Sequence, residues 1–304
     1  MKKILMTGAT GLVGGHLLET LGETGWQFTA LTREKSSPGF AHWDPMSGVI
    51  DTRAFEGCEY VVHLAGENVA SGRWTEERRR LILESREKGT HLLCNALAGL
   101  KHPPRVIICA SGANYYRDNA GGPPWNESGP MGDGFLSVVC KRWEAAAQPA
   151  RDAGIRVVHA RMGTLLSTSG GMLTRILPVV CSGLGGVVGE GTQRISWIHS
   201  TDLVRAYELM LEDDSFSGPV NVASPYPAAN REFMHTVAKA INRPCFIDMP
   251  GRAMRWLYGE MASELLLADN AIFPAKLMEG GMHWDYPKLE EALFDLLARQ
   301  KCAR

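Results

Sequence analysis

The chain opens with Lys3-Ile4-Leu5-Met6-Thr7-Gly8-Ala9-Thr10-Gly11-Leu12-Val13-Gly14, and this stretch limits what the rest can become. A short apolar run leads into three glycines spaced G-x-x-G-x-x-G. Gly15-His16-Leu17-Leu18-Glu19-Thr20-Leu21 then reads as a helix with Val13, Leu17 and Leu21 on one stripe. Strand, glycine turn and helix form the setting in which such glycines bind a dinucleotide. Gly8 allows a sharp turn after the strand. Gly11, lacking a Cβ, lets the backbone approach a pyrophosphate, and Gly14 lets the helix pack close to the sheet. Free N–H groups and the positive end of the helix dipole then face the phosphates. With 33 glycines among 304 residues, a triplet alone is a weak signal. Its place after the first strand, with a second apolar strand on cue, carries the reading to a nucleotide cofactor.

That length suits about two domains. Hydrophobic residues at 45% and charged residues at 21% allow a large core. A net charge of −1 gives no support to a nucleic-acid or membrane-surface partner. No apolar run approaches the roughly 18 residues that span a bilayer. Lys2-Lys3 is followed by too short an apolar run for an export core of roughly 7–15 residues. Seven cysteines, an odd number without C-x-x-C spacing, suggest reduced thiols, a cytoplasmic location and no zinc site.

The second strand, Gln27-Phe28-Thr29-Ala30-Leu31, ends in Thr32-Arg33. An NAD site places Asp or Glu there, to accept from the ribose 2′-hydroxyl. A hydroxyl and a guanidinium suit a 2′-phosphate, so NADP(H) is favoured, while Glu34 keeps NAD(H) open. Ala41 to Pro45 forms a short edge piece. The apolar run from Tyr60 to Leu64 reads as a buried strand entering the turn Ala65-Gly66-Glu67-Asn68. Ligands lie at the carboxyl ends of such strands, and Ala65 and Gly66 would let a cofactor pass close. An ordinary βα turn would carry them too. Glu67 or Asn68 could hydrogen-bond substrate or ribose.

Thr75 to Leu100 reads as a long helix, capped by Thr75 with Glu76 and Glu77 in its first turn. Leu81, Ser85, Leu92 and Ala96 are candidates for its buried face, and Arg78, Arg79 and Arg80 for its solvated face. Arg86 falls among residues that should face the sheet, where it either reaches an anionic ligand or forms a surface ion pair. Arg105 to Ser111 is the next strand, followed at once by Gly112-Ala113-Asn114-Tyr115-Tyr116. A helix near Phe135 to Arg151 and a strand from Ile155 to Arg161 come next. Strands alternate with helices, so the expected class is α/β, a Rossmann-like doubly wound parallel sheet. After residue 165, glycine-rich and then proline-rich pieces take over. Residues 1–224 are expected to form the nucleotide-binding domain, with 170–195 contributing to the substrate side. Residues 225–304 form a smaller C-terminal substrate domain, closed by a helix after Pro287 with Leu289, Ala292, Leu293, Leu296 and Leu297 on one face.

These residues resemble a known family. TGATGLVG at 7–14, HWDP at 42–45, HLAGEN at 63–68 and RWTEERRRLILESR at 73–86 are similar to motifs of the extended short-chain dehydrogenase/reductases. So are GLGG at 183–186, SWIHSTDL at 196–203, GPVNVASPYPAAN at 218–230 and ELLL at 264–267. The resemblance is closest to the atypical, sugar-nucleotide-epimerase-like subfamily, whose members are sometimes labelled cell-division inhibitors, and it covers essentially the whole chain. It implies a domain binding NADP(H), with cofactor positions at Gly8, Gly11, Leu12, Val13, Gly14, Thr32, Arg33, Leu64, Ala65, Gly66 and Arg86. Leu165 or a neighbour would approach the nicotinamide. A homodimer is possible on the same grounds.

The family's reaction uses Ser, Tyr and Lys, with Tyr and Lys as Y-x-x-x-K on one helix face, where the Lys charge lowers the phenol's pKa. No tyrosine here is followed by Lys four residues on. Leu136 and Cys140 stand at the pair's places, and a one-residue shift gives Ser137 and Lys141. Ser111 stands where the family serine should, and Tyr115 or Tyr116 could supply a phenol from the strand end. The catalytic candidates are therefore Ser111, Tyr115 and Tyr116. His199 either faces the substrate or is structural. The expected function is an NADP-dependent oxidoreductase or epimerase acting on a small carbonyl, carbinol or sugar-nucleotide-like molecule. The alternative is a nucleotide-binding regulator or redox sensor without turnover.

Overall fold

The computed structural model describes residues 2–33 and 40–298. The strands are β1 (Lys3–Thr7), β2 (Gln27–Thr32), β3 (Phe40–Asp44), β4 (Val49–Ile50), β5 (Tyr60–His63) and β6 (Val106–Gly112). They continue as β7 (Arg156–Met162), β8 (Thr164–Leu166), β9 (Arg194–Ile195), β10 (Trp197–His199), β11 (Gly218–Val222) and β12 (Ala228–Ala229). The helices are α1 (Leu12–Glu23), α2 (Glu76–Ala98), α3 (Phe135–Ala145), α4 (Gln148–Asp152) and α5 (Gly171–Cys181). α6 (Ser200–Glu212), α7 (Asn230–Ala240), α8 (Gly251–Tyr258), α9 (Ala275–Glu279) and α10 (Leu289–Leu297) complete them. Among the described residues no helix is long and apolar enough to cross a membrane.

Eight strands form one sheet in the order β11-β7-β6-β5-β1-β2-β3-β4. All neighbours run parallel except β3 and β4, so the expected parallel sheet carries one antiparallel edge. That hairpin is set by Asp44, whose carboxylate accepts from Met46 N and Ser47 Oγ, and by Gly48 at φ +73°. The chain winds outward from β1 in one direction through β2 and β3, then crosses back to β5 and winds the other way. The order reverses between β1 and β5, the place where open α/β sheets bind ligands.

Period-two alternation splits the core over two faces. Ile4 and Met6 pack with Leu17 and Leu21 of α1 and with Leu203, Tyr207 and Met210 of α6. Leu5, Val61 and Ile107 face the other way, onto Leu93, Cys94 and Leu97 of α2 and Ala150 of α4. The buried stripe of α2 is Ile82, Gly89, Thr90, Leu93, Cys94 and Leu97, about one residue round from the expected Leu81, Ser85, Leu92 and Ala96. Gly89 and Thr90 account for the rotation. A Cβ on Gly89 would lie 3.5 Å from the Trp43 ring, so the helix closes on β3 through a residue that apolar periodicity ignores. A third cluster joins Leu166, Leu173 and Trp197 to Phe233, Val237, Leu289 and Leu293, drawing α5, α7 and α10 together. Cys58, Cys94, Cys109, Cys140 and Cys245 are free thiols.

The closeness of α1 to the sheet is testable. A Cβ on Gly14 would sit 2.4 Å from the Gly8 carbonyl oxygen and 2.8 Å from Ala9 Cα, while one on Gly15 meets nothing within 4 Å. Gly14→Val is expected to destabilise the protein by about 1–3 kcal/mol, by overpacking against backbone that cannot yield. Gly15→Ala should be neutral or slightly stabilising. Equal melting temperatures for the two variants in scanning calorimetry would contradict this packing.

Candidate functional site

A cavity of about 350 Å³ lies over the carboxyl ends of β1, β2 and β5, lined by Gly8 to Gly11, Leu31 to Arg33 and Leu64 to Glu67 among others. Gly8 takes φ +70°, and a Cβ there would meet Ala65 N at 2.9 Å, so the β1 and β5 turns touch backbone to backbone. Gly11 N donates back to Gly8 O at 3.0 Å and Gly11 then caps α1. That cap has no side-chain hydrogen bond, and the first turn of α1 holds no acidic residue. Helix α2 is different: Thr75 accepts from Arg78 N, and Glu76 and Glu77 answer its dipole. The first N–H groups of α1 are thus left for an external anion.

A buried histidine fixes the β5 side of the cavity. Thr7 Oγ1 accepts from Leu64 N and Ala65 N, both at 3.2 Å, so its proton goes to His63 Nδ1 at 2.7 Å. His63 then carries its own proton on Nε2 and donates to Thr90 Oγ1 at 2.9 Å. Burial, with the nearby Arg86 charge, pushes the His63 pKa down to about 3, which keeps this neutral tautomer in place.

At the end of β2, Thr32 is half-buried and Arg33 is exposed at the cavity rim. Glu34 lies outside the described residues. Leu64, Ala65 and Gly66 line the cavity; Leu12 and Val13 sit in the first turn of α1, Leu12 against Gly170. Arg86 is half-buried and bonds to protein carbonyls. Its Nη1 donates to the carbonyls of Glu67 at 2.9 Å and Ile82 at 3.0 Å, its guanidinium stacks on Trp143, and it packs against Gly66. It braces the turn from behind and does not line the cavity; burial pulls its pKa down to about 10. Arg78 is not solvated either, since it pairs with Glu67 at 2.9 Å. Asn68 Oδ1 accepts from Ala70 N.

A second cavity, about 220 Å³, lies along the same sheet edge beside β6 and β7, where Ala113, Asn114, Met162, Gly163 and Thr164 line it. Leu165 is not among its lining; its side chain is buried in the core on β8, paired with Ile198 of β10. Its neighbours Gly163 and Thr164 line the cavity.

A buried polar chain runs from β6 across β7 to β11. Ser111 Oγ donates to Glu144 Oε1 at 2.8 Å. Arg161 grips both oxygens of Glu144, through Nε and Nη2, each at 2.8 Å. Its Nη1 donates to the Tyr116 oxygen at 2.9 Å, and Tyr116 in turn donates to Asn221 Oδ1 at 2.7 Å. Burial works against the Arg161 charge, but the Glu144 carboxylate outweighs it and holds the guanidinium's pKa above its ordinary value. Tyr116 is buried and its pKa is pushed up to about 12. The Arg161 guanidinium also lies 3.4 Å from the centroid of the Tyr115 ring. Tyr115 is half-buried and its hydroxyl makes no hydrogen bond among the described residues. The structure therefore separates the three catalytic candidates. Ser111 and Tyr116 have committed hydroxyls beneath the surface, and Tyr115, which follows the cavity-lining Ala113 and Asn114 in the chain, has no hydrogen bond to its hydroxyl among the described residues.

Leu136 and Cys140 are buried on α3, and burial pushes the Cys140 thiol up to about 11. Lys141 is exposed. His199 caps α6, accepting from Thr201 N through Nδ1, with Nε2 at 3.3 Å from Asp295. Two features escaped the sequence reading. Glu144 and Arg161 were passed over, although each is a charge set among apolar neighbours on its helix or strand. Glu264 was noted only as part of ELLL. Its carboxylate accepts from Phe135 N at 2.7 Å and Leu136 N at 2.8 Å, and so caps α3, whose Gly134 offers no side chain. Among the described residues no group of His, Cys, Asp or Glu could hold a metal ion.

Comparison with known proteins agrees with this geometry. Residues 4–223 match the NAD dependent epimerase/dehydratase family, and residues 249–296 match a domain of unknown function, DUF1731. The chain is 36% identical over 293 residues to the epimerase family protein Mb2239 of Mycobacterium bovis, covering 95% of this chain and 96% of that one. The solved structure of human epimerase family protein SDR39U1 (isoform 2) with NADPH superposes with a TM-score of 0.90 at 31% identity, over 98% of this chain and 100% of that one. A nucleoside-diphosphate sugar epimerase from Corynebacterium glutamicum gives 0.80 at 31% identity, over 99% of this chain and 59% of that one. The chain belongs to the NAD dependent epimerase/dehydratase family, as an atypical, epimerase-like member of the extended short-chain dehydrogenase/reductases.

Proposed function

We propose that this chain binds NADP(H) along the carboxyl edge of its sheet and catalyses hydride transfer to or from a carbonyl or carbinol carbon. One observation carries the reading: the glycine turn and the uncapped, acid-free start of α1 open into a cavity that ends at Thr32 and Arg33. The residues fit the cofactor, because Gly8 and Gly14, where a Cβ would meet backbone at 2.9 and 2.4 Å, bring the β1 turn, the β5 turn and the start of α1 together at the cavity, where phosphates need backbone to approach. The human relative solved with NADPH supports the same choice. Backbone N–H groups of the Gly8–Gly11 turn and the start of α1 would hold the pyrophosphate, and Arg33 and Thr32 would hold the 2′-phosphate. Bound nicotinamide supplies a hydride at C4.

The chain supplies the accompanying proton. Tyr115 is the donor in this reading, since its hydroxyl is free. The Arg161 guanidinium, 3.4 Å from its ring centroid, holds the ring in place. Ser111, Glu144 and Tyr116 hold that guanidinium in place, so they position and do not react. A second reading, an NADP(H)-binding regulator without turnover, is favoured by the 220 Å³ cavity itself, whose only ionisable lining residue is Arg194.

Arg33→Asp should weaken NADPH binding by about 10–100-fold, the worth of a charge-assisted hydrogen bond to phosphate, while leaving NADH affinity equal or better. Calorimetric titration checks it, and an unchanged NADPH affinity would remove Arg33 from the site. Tyr115→Phe should cut carbonyl-dependent NADPH consumption by at least about 100-fold, the scale of a lost general acid, with NADPH affinity unchanged. Full activity in that variant would clear Tyr115, and a wild type that binds NADPH yet consumes none with any carbonyl compound would favour the regulator.

A further inference from the structure

We infer that the molecule taken beside the nicotinamide is a small, uncharged, largely apolar carbonyl compound, and not a nucleoside-diphosphate sugar. The inference rests on the hydride-transfer reading above and names its substrate class. The 220 Å³ cavity is below the roughly 300–1,000 Å³ usual for drug-sized ligands. Its walls are Met162, Met172, Val188, Ile195, Leu265 and Leu266, interrupted by neutral side chains. Much of that polarity is already engaged. Asn114 Nδ2 donates to the Glu264 carbonyl, Asn230 Oδ1 accepts from Val188 N, and Ser196 Oγ donates to the Asn270 carbonyl.

The single charge in the lining, Arg194, is neutralised. Its Nε and Nη2 lie 3.0 and 2.8 Å from the two oxygens of Asp269, Nη2 also donates to Gly122 O at 2.6 Å, and Arg194 N donates to the same carboxylate. Asp269 is buried and accepts from Gly121 N as well. Drawing Arg194 onto a diphosphate would strand a buried carboxylate, which opposes that use of the guanidinium.

A larger cavity of about 750 Å³ lies across the same wall. Gly189, Gln193, Leu267 and Asp269 line it, while their chain neighbours Val188, Arg194, Leu266 and Ala268 line the smaller one. Its charged residues are Asp118, Glu190 and Asp269 against Arg252 and Arg255, so it offers a diphosphate no net positive field. Neither cavity is charged to receive a polyanion, and the inner one suits a short neutral chain or ring that presents a carbonyl group.

The test uses the full chain loaded with NADPH. Calorimetric titration with UDP-glucose is expected to give no binding, while a panel of neutral aldehydes and ketones, including hexanal and benzaldehyde, should speed NADPH loss at least severalfold over the blank. UDP-glucose binding, or no acceleration by any member of the panel, overturns the inference. Asp269→Asn keeps the shape and removes the neutralising charge. It should raise affinity for UDP by at least tenfold with NADPH affinity unchanged, and no gain overturns the account of Arg194. If that variant fails to fold, the wild-type UDP-glucose titration decides. A wild type that does not bind NADPH fells the cofactor reading and this inference together; one that binds both NADPH and UDP-glucose fells this inference alone.

Discussion

The structure depends on a contact that exists because two side chains are missing. At Gly14 the first turn of α1 lies against the Gly8 carbonyl, and at Gly8 the β1 turn lies against the backbone of Leu64 and Ala65. These approaches bring a helix start, a strand end and the neighbouring strand end to one point, at the place where the sheet reverses its winding. Among the described residues no side chain caps α1, since Gly11 is its cap, and its first turn carries no acid. Thr7 and His63 extend the arrangement inward, holding the second turn by hydrogen bonds that only a neutral imidazole can make.

The second organising element is the buried Glu144–Arg161 pair. Such pairs are weak sources of net stability, since the desolvation of both charges offsets their attraction, but losing one partner is costly. Here the pair gathers Ser111, Tyr115 and Tyr116 around one guanidinium. The positive charge beside the two phenols arrives from β7, through Arg161.

Much of this was legible in the sequence where the information is local. The glycine spacing, the apolar run of β1 and the cap at Thr75 depend on neighbours a few residues apart, and each is where the sequence places it. The stripe of α2 was misread by a residue because Gly89 and Thr90 pack by what they lack or by what they bond, not by hydrophobicity. Ser111 was locatable as a strand-end hydroxyl, yet its partner Glu144 is 33 residues away. Arg194 and Asp269 are 75 residues apart, and nothing near either one announces the other. Arg86 shows the same limit, since its direction was readable and its carbonyl partners were not.

The cap on α3 comes from a residue 129 positions later in the chain. During folding, the nucleotide-binding sheet can assemble from its own strands, but α3 keeps two bare N–H groups at its start until the segment around Glu264 arrives. The same segment is pinned by Asn114 and Asn270 through the Glu264 carbonyl. The helix that flanks Ser111 is thus completed by the last quarter of the chain, which makes the order around Ser111 a property of the finished molecule.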